Sequence, residues 1–232
     1  MRIRILRVLT YAIGLVVLAL GITLNTKTGL GTAPLVSISY VVSQLTGWVF
    51  ANVTFAVYGL FALIEIAVHL FRKEWKRLVN DALQLPFALV FTRFMGLFDR
   101  VLPNLAADCA GTFWGTMGGR LVALAVAIML IGIGACLSVR MRLIPNPGDG
   151  IVLTISDVTG WKLGLTKNVF DLSNVAIACL IGLIARGRII GVGVGTALCM
   201  LGVGRVIDLT GRLLAPMIER LAPKPDAPAP GR

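Results

Sequence analysis

A single histidine, His69, and 11 acidic residues are nearly all that this chain offers for metal binding or acid–base chemistry. No HExxH, GxSxG or phosphate-loop spacing occurs among them, which excludes the usual constellations of zinc proteases, serine hydrolases and nucleotide-driven pumps. The chain therefore reads as a non-enzyme with no catalytic residue, no metal and no cofactor. Its four cysteines, Cys109, Cys136, Cys179 and Cys199, lack CxxC spacing, and three of them fall inside apolar runs. There a small apolar side chain is the expected role, and neither a disulfide nor a metal cluster is implied. Charge is scarce too, at 14% of residues against 57% hydrophobic, with a mean hydropathy of +0.88. That balance excludes a soluble domain and points to an integral membrane protein.

Apolar runs near the ~20 residues a helical span requires predict spans near 8–26, 49–71, 78–98, 120–139, 168–185 and 189–215. The first follows Arg2, Arg4 and Arg7 but is long and lacks a small-x-small cleavage site, so it is expected to be a retained span. The net charge of +11 does not imply nucleic acid, because most basic residues cluster beside the apolar runs, where they set orientation. With six spans and a cytoplasmic N-terminus, the cytoplasmic side receives most of them, including "RKEWKR" (72–77) and Arg140 and Arg142. The other side receives Lys27, Arg100, Arg120, Arg186 and Arg188. Both termini are thus expected in the cytoplasm. The membrane domain is expected over 1–217, with 218–232, Pro- and Ala-rich, as a disordered cytoplasmic tail.

Two polar-interrupted segments, 28–46 and 143–159, are left over. When 21–48 is laid on 134–161, nine of 28 positions are identical: Gly21/Gly134, Leu24/Leu137, Leu30/Leu143, Pro34/Pro147, Ile38/Ile151, Ser43/Ser156 and the run Thr46-Gly47-Trp48/Thr159-Gly160-Trp161. A proline in register with a Thr-Gly-Trp run indicates an internal duplication, with repeat one over about 8–100 and repeat two over about 119–215. Three spans per half make the halves antiparallel. Short Gly/Pro-interrupted segments at matching places in such halves point to a binding site. In the second, Asn146 suits an N-cap, Pro147 the first helical position and Asp149 the first turn. Thr32 and Pro34 offer a weaker version of the same start. A helix of about a dozen residues reaches only ~18–20 Å and cannot cross a ~30 Å core, so each segment is expected to enter and return. Irregular backbone at membrane depth must be buried in protein or line a wet cavity.

The stretches "LGITLNTKTGLGTAP", "ALQLPFALVF", "NPGDGI", "KNVFDLSNVAIACLIGLI" and "IIGVGVGTALCMLGVGRVID" together resemble the YczE/YyaS/YitT family of bacterial membrane proteins over about residues 8–210. The resemblance implies a multi-pass protein of the bacterial cytoplasmic membrane with a Gly/Pro loop early in each half. It implies no established substrate. Many members carry an aspartate late in the third span, where this chain reads "RFMG" with Gly96.

Ionisable groups inside spans are functional candidates. Asp171, with Asn168 and Asn174 three residues to either side, gives the fifth span a polar face. Asp171 is a candidate site or coupling residue, the alternative being a structural ion pair with Arg205. Arg205 and Asp208, three apart, are a second candidate pair, and Arg93 and Gln84 in the third span are weak counterparts of Arg205 and Cys199. Glu65 and His69 lie one turn apart near the cytoplasmic end of the second span, where the histidine is expected to snorkel to the interface. Gly191 and Gly195 fit small-xxx-small helix packing rather than nucleotide binding. Trp48, Trp75, Trp114 and Trp161 fall at span ends, as an aromatic belt requires.

These features predict an all-α membrane protein of about six transmembrane helices in two repeated halves, each with a broken or re-entrant half-helix. The expected function is that of a secondary transporter for a small polar solute held near the midplane by Thr32, Pro34, Asn146, Asp149, Asn168 and Asp171. Arg93, Arg205 and Asp208 are expected to pair or couple. The alternative is a non-transporting accessory protein that supports a partner, which would leave proteoliposomes inert in a counterflow assay. The expected partners are the lipid bilayer and the solute, not nucleic acid, and a homo-oligomer is left open.

Overall fold

The computed structural model describes residues 2–222, and these form helices and connecting loops without a strand. Six helices are long and apolar enough to cross a membrane. They are α1 (Arg2–Lys27), α3 (Phe50–Phe71), α4 (Trp75–Val101), α5 (Met117–Arg140), α7 (Leu163–Arg186) and α8 (Val194–Leu213). Two short helices intervene, α2 (Ser37–Thr46), entered through a 3-10 turn at Pro34–Val36, and α6 (Pro147–Thr159). A last helix, α9 (Ala215–Leu221), buries Ile218, so 218–221 belong to the folded body rather than to a disordered tail. The remainder of the expected tail, 223–232, lies outside the described residues.

Ion pairs and hydrogen bonds fix the directions of α1, α4 and α5. Lys27 at the end of α1 pairs with Asp99 at the end of α4 at 2.8 Å, and Arg120 at the start of α5 donates to the carbonyls of Thr28 and Gly29. These termini share one end of the bundle. At the other end Arg7 donates to the carbonyls of Met141 and Arg142 beyond α5, and Arg77 at the start of α4 pairs with Asp157 of α6. This second end carries "RKEWKR" and is called the basic end. Helices α1 and α4 run away from it and α5 runs toward it.

The central contact is between α1 and α5, the most extensive in the molecule. Glycine makes it possible: a Cβ on Gly134 would stand 2.4 Å from the Leu18 backbone nitrogen, and one on Gly21 would stand 2.7 Å from that of Ile131. Without lipid-excluding hydrophobic force between spans, such close backbone approach supplies the packing.

The short helices meet tip to tip. The start of α2 places the Leu35 side chain where a Cβ on Gly148, at the start of α6, would clash at 2.7 Å. Their far ends return to opposite ends of the bundle: Gly47 and Trp48 line a depression with Lys27 and Asp99, whereas Asp157 reaches Arg77. Both segments therefore enter and return. Their ends have the same construction. Gly47 (φ 72°) and Gly160 (φ 73°) close each helix in the left-handed region, where a side chain is strained. Ser43 Oγ donates to the Trp48 carbonyl at 2.7 Å, and Ser156 Oγ to that of Trp161 at 2.8 Å. All four tryptophans are exposed at helix or turn ends, as a membrane belt requires.

The span bounds differ at one place in particular. The expected sixth span began at 189, but Gly191 has a φ of +71° and α8 starts only at Val194. Of the expected pair only Gly195 lies in α8, packed on Leu30, and Gly191 and Gly193 precede the helix. They belong to a loop that presses on the first broken segment, where the Gly191 carbonyl accepts from Thr32 and a Cβ on Gly193 would meet the Leu30 carbonyl at 2.6 Å.

Candidate functional site

Helices α3 and α4 pack along each other, but α7 and α8 make no substantial contact. Between α7 and α8 lies a cavity of about 480 Å³, floored by α1 and α5 and capped by the tips of α2 and α6. Its walls are apolar: Leu18 and Ile22 of α1, Ile131 and Ala135 of α5, Val152 of α6, and Val203 and Ile207 of α8. One side is charged. Lys167 Nζ of α7 stands 3.6 Å from Asp171 Oδ2 and 3.8 Å from Asp149 Oδ1 of α6. Both separations are long for an ion pair, so the ammonium bridges two carboxylates without closing on either. Arg140 and Arg142 line the cavity toward the basic end.

Two buried polar atoms around this charged side lack a hydrogen-bond partner, Asp171 Oδ1 and Asn174 Oδ1, while the Tyr58 hydroxyl and the Asn146 side chain face each other. Buried groups left unpaired cost about 1–3 kcal/mol each, so these two call for water or a ligand. Asn146 holds the N-cap position of α6, yet its side chain makes no capping bond; the Asn146 carbonyl accepts from the amides of Asp149 and Gly150 instead.

A second polar layer lies on the far side of α6, between α3 and α4. Gln84 Nε2 donates to Glu65 Oε2 at 2.9 Å, and His69 Nδ1 bonds Asp81 Oδ2 at 2.6 Å. All four residues are at most 4% exposed. The Glu65 carboxylate packs on the bare backbone of Gly150, where a Cβ would stand 2.7 Å from it.

The structure brings Asn146, Asp149 and Asp171 together and sets Pro34 in the cavity wall. Thr32 is buried, but its hydroxyl and amide are satisfied by the Gly191 carbonyl and it faces a loop. Asn168 is exposed: successive residues turn by about 100°, so the inward face of α7 is Lys167, Asp171, Asn174 and Ala178, and Asn168 falls beside it. The Asp171–Arg205 pair does not form. Asp171 is held by Lys167, four residues away on its own helix, while Arg205 and Asp208 are exposed on α8 and form no ion pair with each other among the described residues. Arg93 is also exposed and donates to Asn52 Oδ1 at 2.9 Å. His69 does not snorkel; it is 4% exposed and bonded to Asp81. The contributions of Lys167 and of the Glu65–Gln84 contact were missed in the sequence, although the i,i+4 spacing of Lys167 and Asp171 carried a signal.

Residues 5–212 match a family described as a family of unknown function, DUF6198. An uncharacterised membrane protein, YczE, of Bacillus subtilis (strain 168) is 27% identical over 170 residues, covering 73% of this chain and 72% of its own. No solved structure matches.

Proposed function

The chain belongs to DUF6198, a family of unknown function, and we propose that it is a secondary transporter of a small amphipathic solute bound in the cavity between α7 and α8. The observation that carries this reading is a mostly apolar cavity with a concentrated charged side, located where the two broken segments meet. Asp149 and Asp171 against one Lys167 leave an excess carboxylate that suits an amine, and Arg140 in the same wall suits an anionic group at the other end of the same molecule. The apolar walls favour a hydrocarbon body between them, so the solute is less polar than the sequence suggests.

The paired construction of α1–α4 and α5–α8 supports descent from a duplicated, inverted unit. Within that pairing the halves differ: α3 lies against α4, but the counterparts α7 and α8 stand apart. Exchange of these two arrangements would open the site alternately to the two sides. The basic end is the cytoplasmic one in this reading, placing both termini there in the bacterial inner membrane. Purified protein in liposomes should show counterflow of an amphipathic zwitterion selected by thermal stabilisation, and Lys167→Met should lose both. Liposomes inert to every stabilising compound would favour the accessory role.

A further inference from the structure

Glu65 is buried on the basic-end half of α3, with no cation against it. It is 1% exposed, and the groups facing it are few. From α4 come Gln84, which donates to Oε2, and Asp81; from α3 itself comes His69 one turn away; from α6 come Gly150 and the Thr154 hydroxyl. Helix α2 has no ionisable residue besides Tyr40, which packs on Phe50. Neither Glu65 Oε1 nor Gln84 Oε1 receives a hydrogen bond. Only neutral donors, Gln84 and Thr154, meet the Glu65 carboxylate, and a hydrogen on Glu65 removes that uncompensated buried charge.

A buried histidine–aspartate pair lies on the basic-end side of Glu65. His69 donates through Nδ1 to Asp81, which leaves Nε2 as the ring atom able to carry a proton onward. Both residues lie between Glu65 and the basic end, where Arg77, Glu74 and Asp157 meet water. The layer also touches the cavity mechanically: Gly150 backs on the Glu65 carboxylate, and the adjacent Asp149 faces Lys167.

We propose that Glu65 is a proton-binding site, reached from the basic end through Asp81 and His69, and that its protonation moves the first turn of α6 and so couples proton movement to the cavity. The bond formed is Oε1–H, and the proton comes from water and returns to it. The coupling role rests on the transport reading; the proton site itself does not.

The test uses purified full-length protein and protons alone. Infrared difference spectra between alkaline and acidic buffer should show the C=O band of a buried carboxylic acid. The band should be lost in Glu65→Gln and kept in Glu219→Gln, and it should form several-fold more slowly after a pH jump in His69→Gln. In a cysteine-free background, the labelling rate of Ala33→Cys should change with pH beyond what thiol ionisation gives, and Glu65→Gln should remove the excess. A wild-type protein without a titrating buried band, a band that survives Glu65→Gln, or identical pH profiles at Ala33→Cys would each overturn the proposal. Where Glu65→Gln does not fold, a wild-type spectrum without the band still overturns the proposal, and Asp81→Asn and Asp171→Asn, which should keep the band, assign it. Solute protection of Ala33→Cys, measured separately, reports on the transport reading: its absence beside a normal Glu65 band removes transport and leaves the proton site standing.

Discussion

Lys167 stands between two carboxylates inside a low-polarity wall, so its removal leaves Asp149 and Asp171 facing each other without a counter-charge. Removing one member of such a cluster leaves the others uncompensated, whereas replacing all of its charged members with apolar groups recovers much of the loss. Lys167→Met should therefore lower the thermal midpoint in detergent, and adding Asp171→Leu should recover only part of the loss, because Asp149 keeps an unpaired charge. Arg205→Ala should not lower the midpoint as Lys167→Met does, because Arg205 forms no ion pair among the described residues. Glycine gives a second residue-scale comparison. Gly150→Ala would place a methyl 2.7 Å from the Glu65 carboxylate and should destabilise by about 1–3 kcal/mol. Gly204→Ala meets nothing within 4 Å and should be neutral or slightly stabilising through helix propensity. At this scale the sequence was legible where a residue's neighbours are local. The first-turn place of Asp149 and the span position of Asp171 could be read directly. The Arg205 assignment failed because opposite charges on different helices can be paired only when the helix rotations are known, and α8 turns that face away from α7.

The elements were more legible than their contacts. Thr-Gly-Trp at 46–48 and 159–161 marked two helix ends, and both close through a left-handed glycine and a serine-to-carbonyl bond. The failure at α8 has a local cause: "IIGVGVGT" is as apolar as a span, but glycines at 191 and 193 let the chain turn and press on Leu30 before the helix begins. The α1–α5 crossing depends on the same residue type for the opposite reason, since Gly134 permits a straight helix to approach another. Gly134→Leu places a side chain within 2.4 Å of the Leu18 backbone and should prevent the pair from forming. In a cysteine-free background, a disulfide trap between α1 and α5 that forms in the wild-type context should fail in this variant. Efficient trapping in both would show that the crossing does not depend on the glycine.

For the whole molecule, six spans and two returning segments followed from hydropathy and helix length, because a ~20 Å helix cannot cross a ~30 Å core. What hydropathy could not show is that one pair of helices closes and its counterpart opens, for this depends on packing between segments far apart in the chain. The two broken segments wall one cavity, whose lining includes Arg140 and Arg142 of the basic end. Ala33 and Val152, 5% and 2% exposed, line it from α2's approach and from α6. The most direct measurement is labelling of single cysteines at these two positions in oriented proteoliposomes, with a small membrane-impermeant thiol reagent added to one side at a time. The account predicts that both react, and that both react faster from the side carrying Arg140 and "RKEWKR". Labelling of only one, of neither, or of both from the opposite side would contradict it.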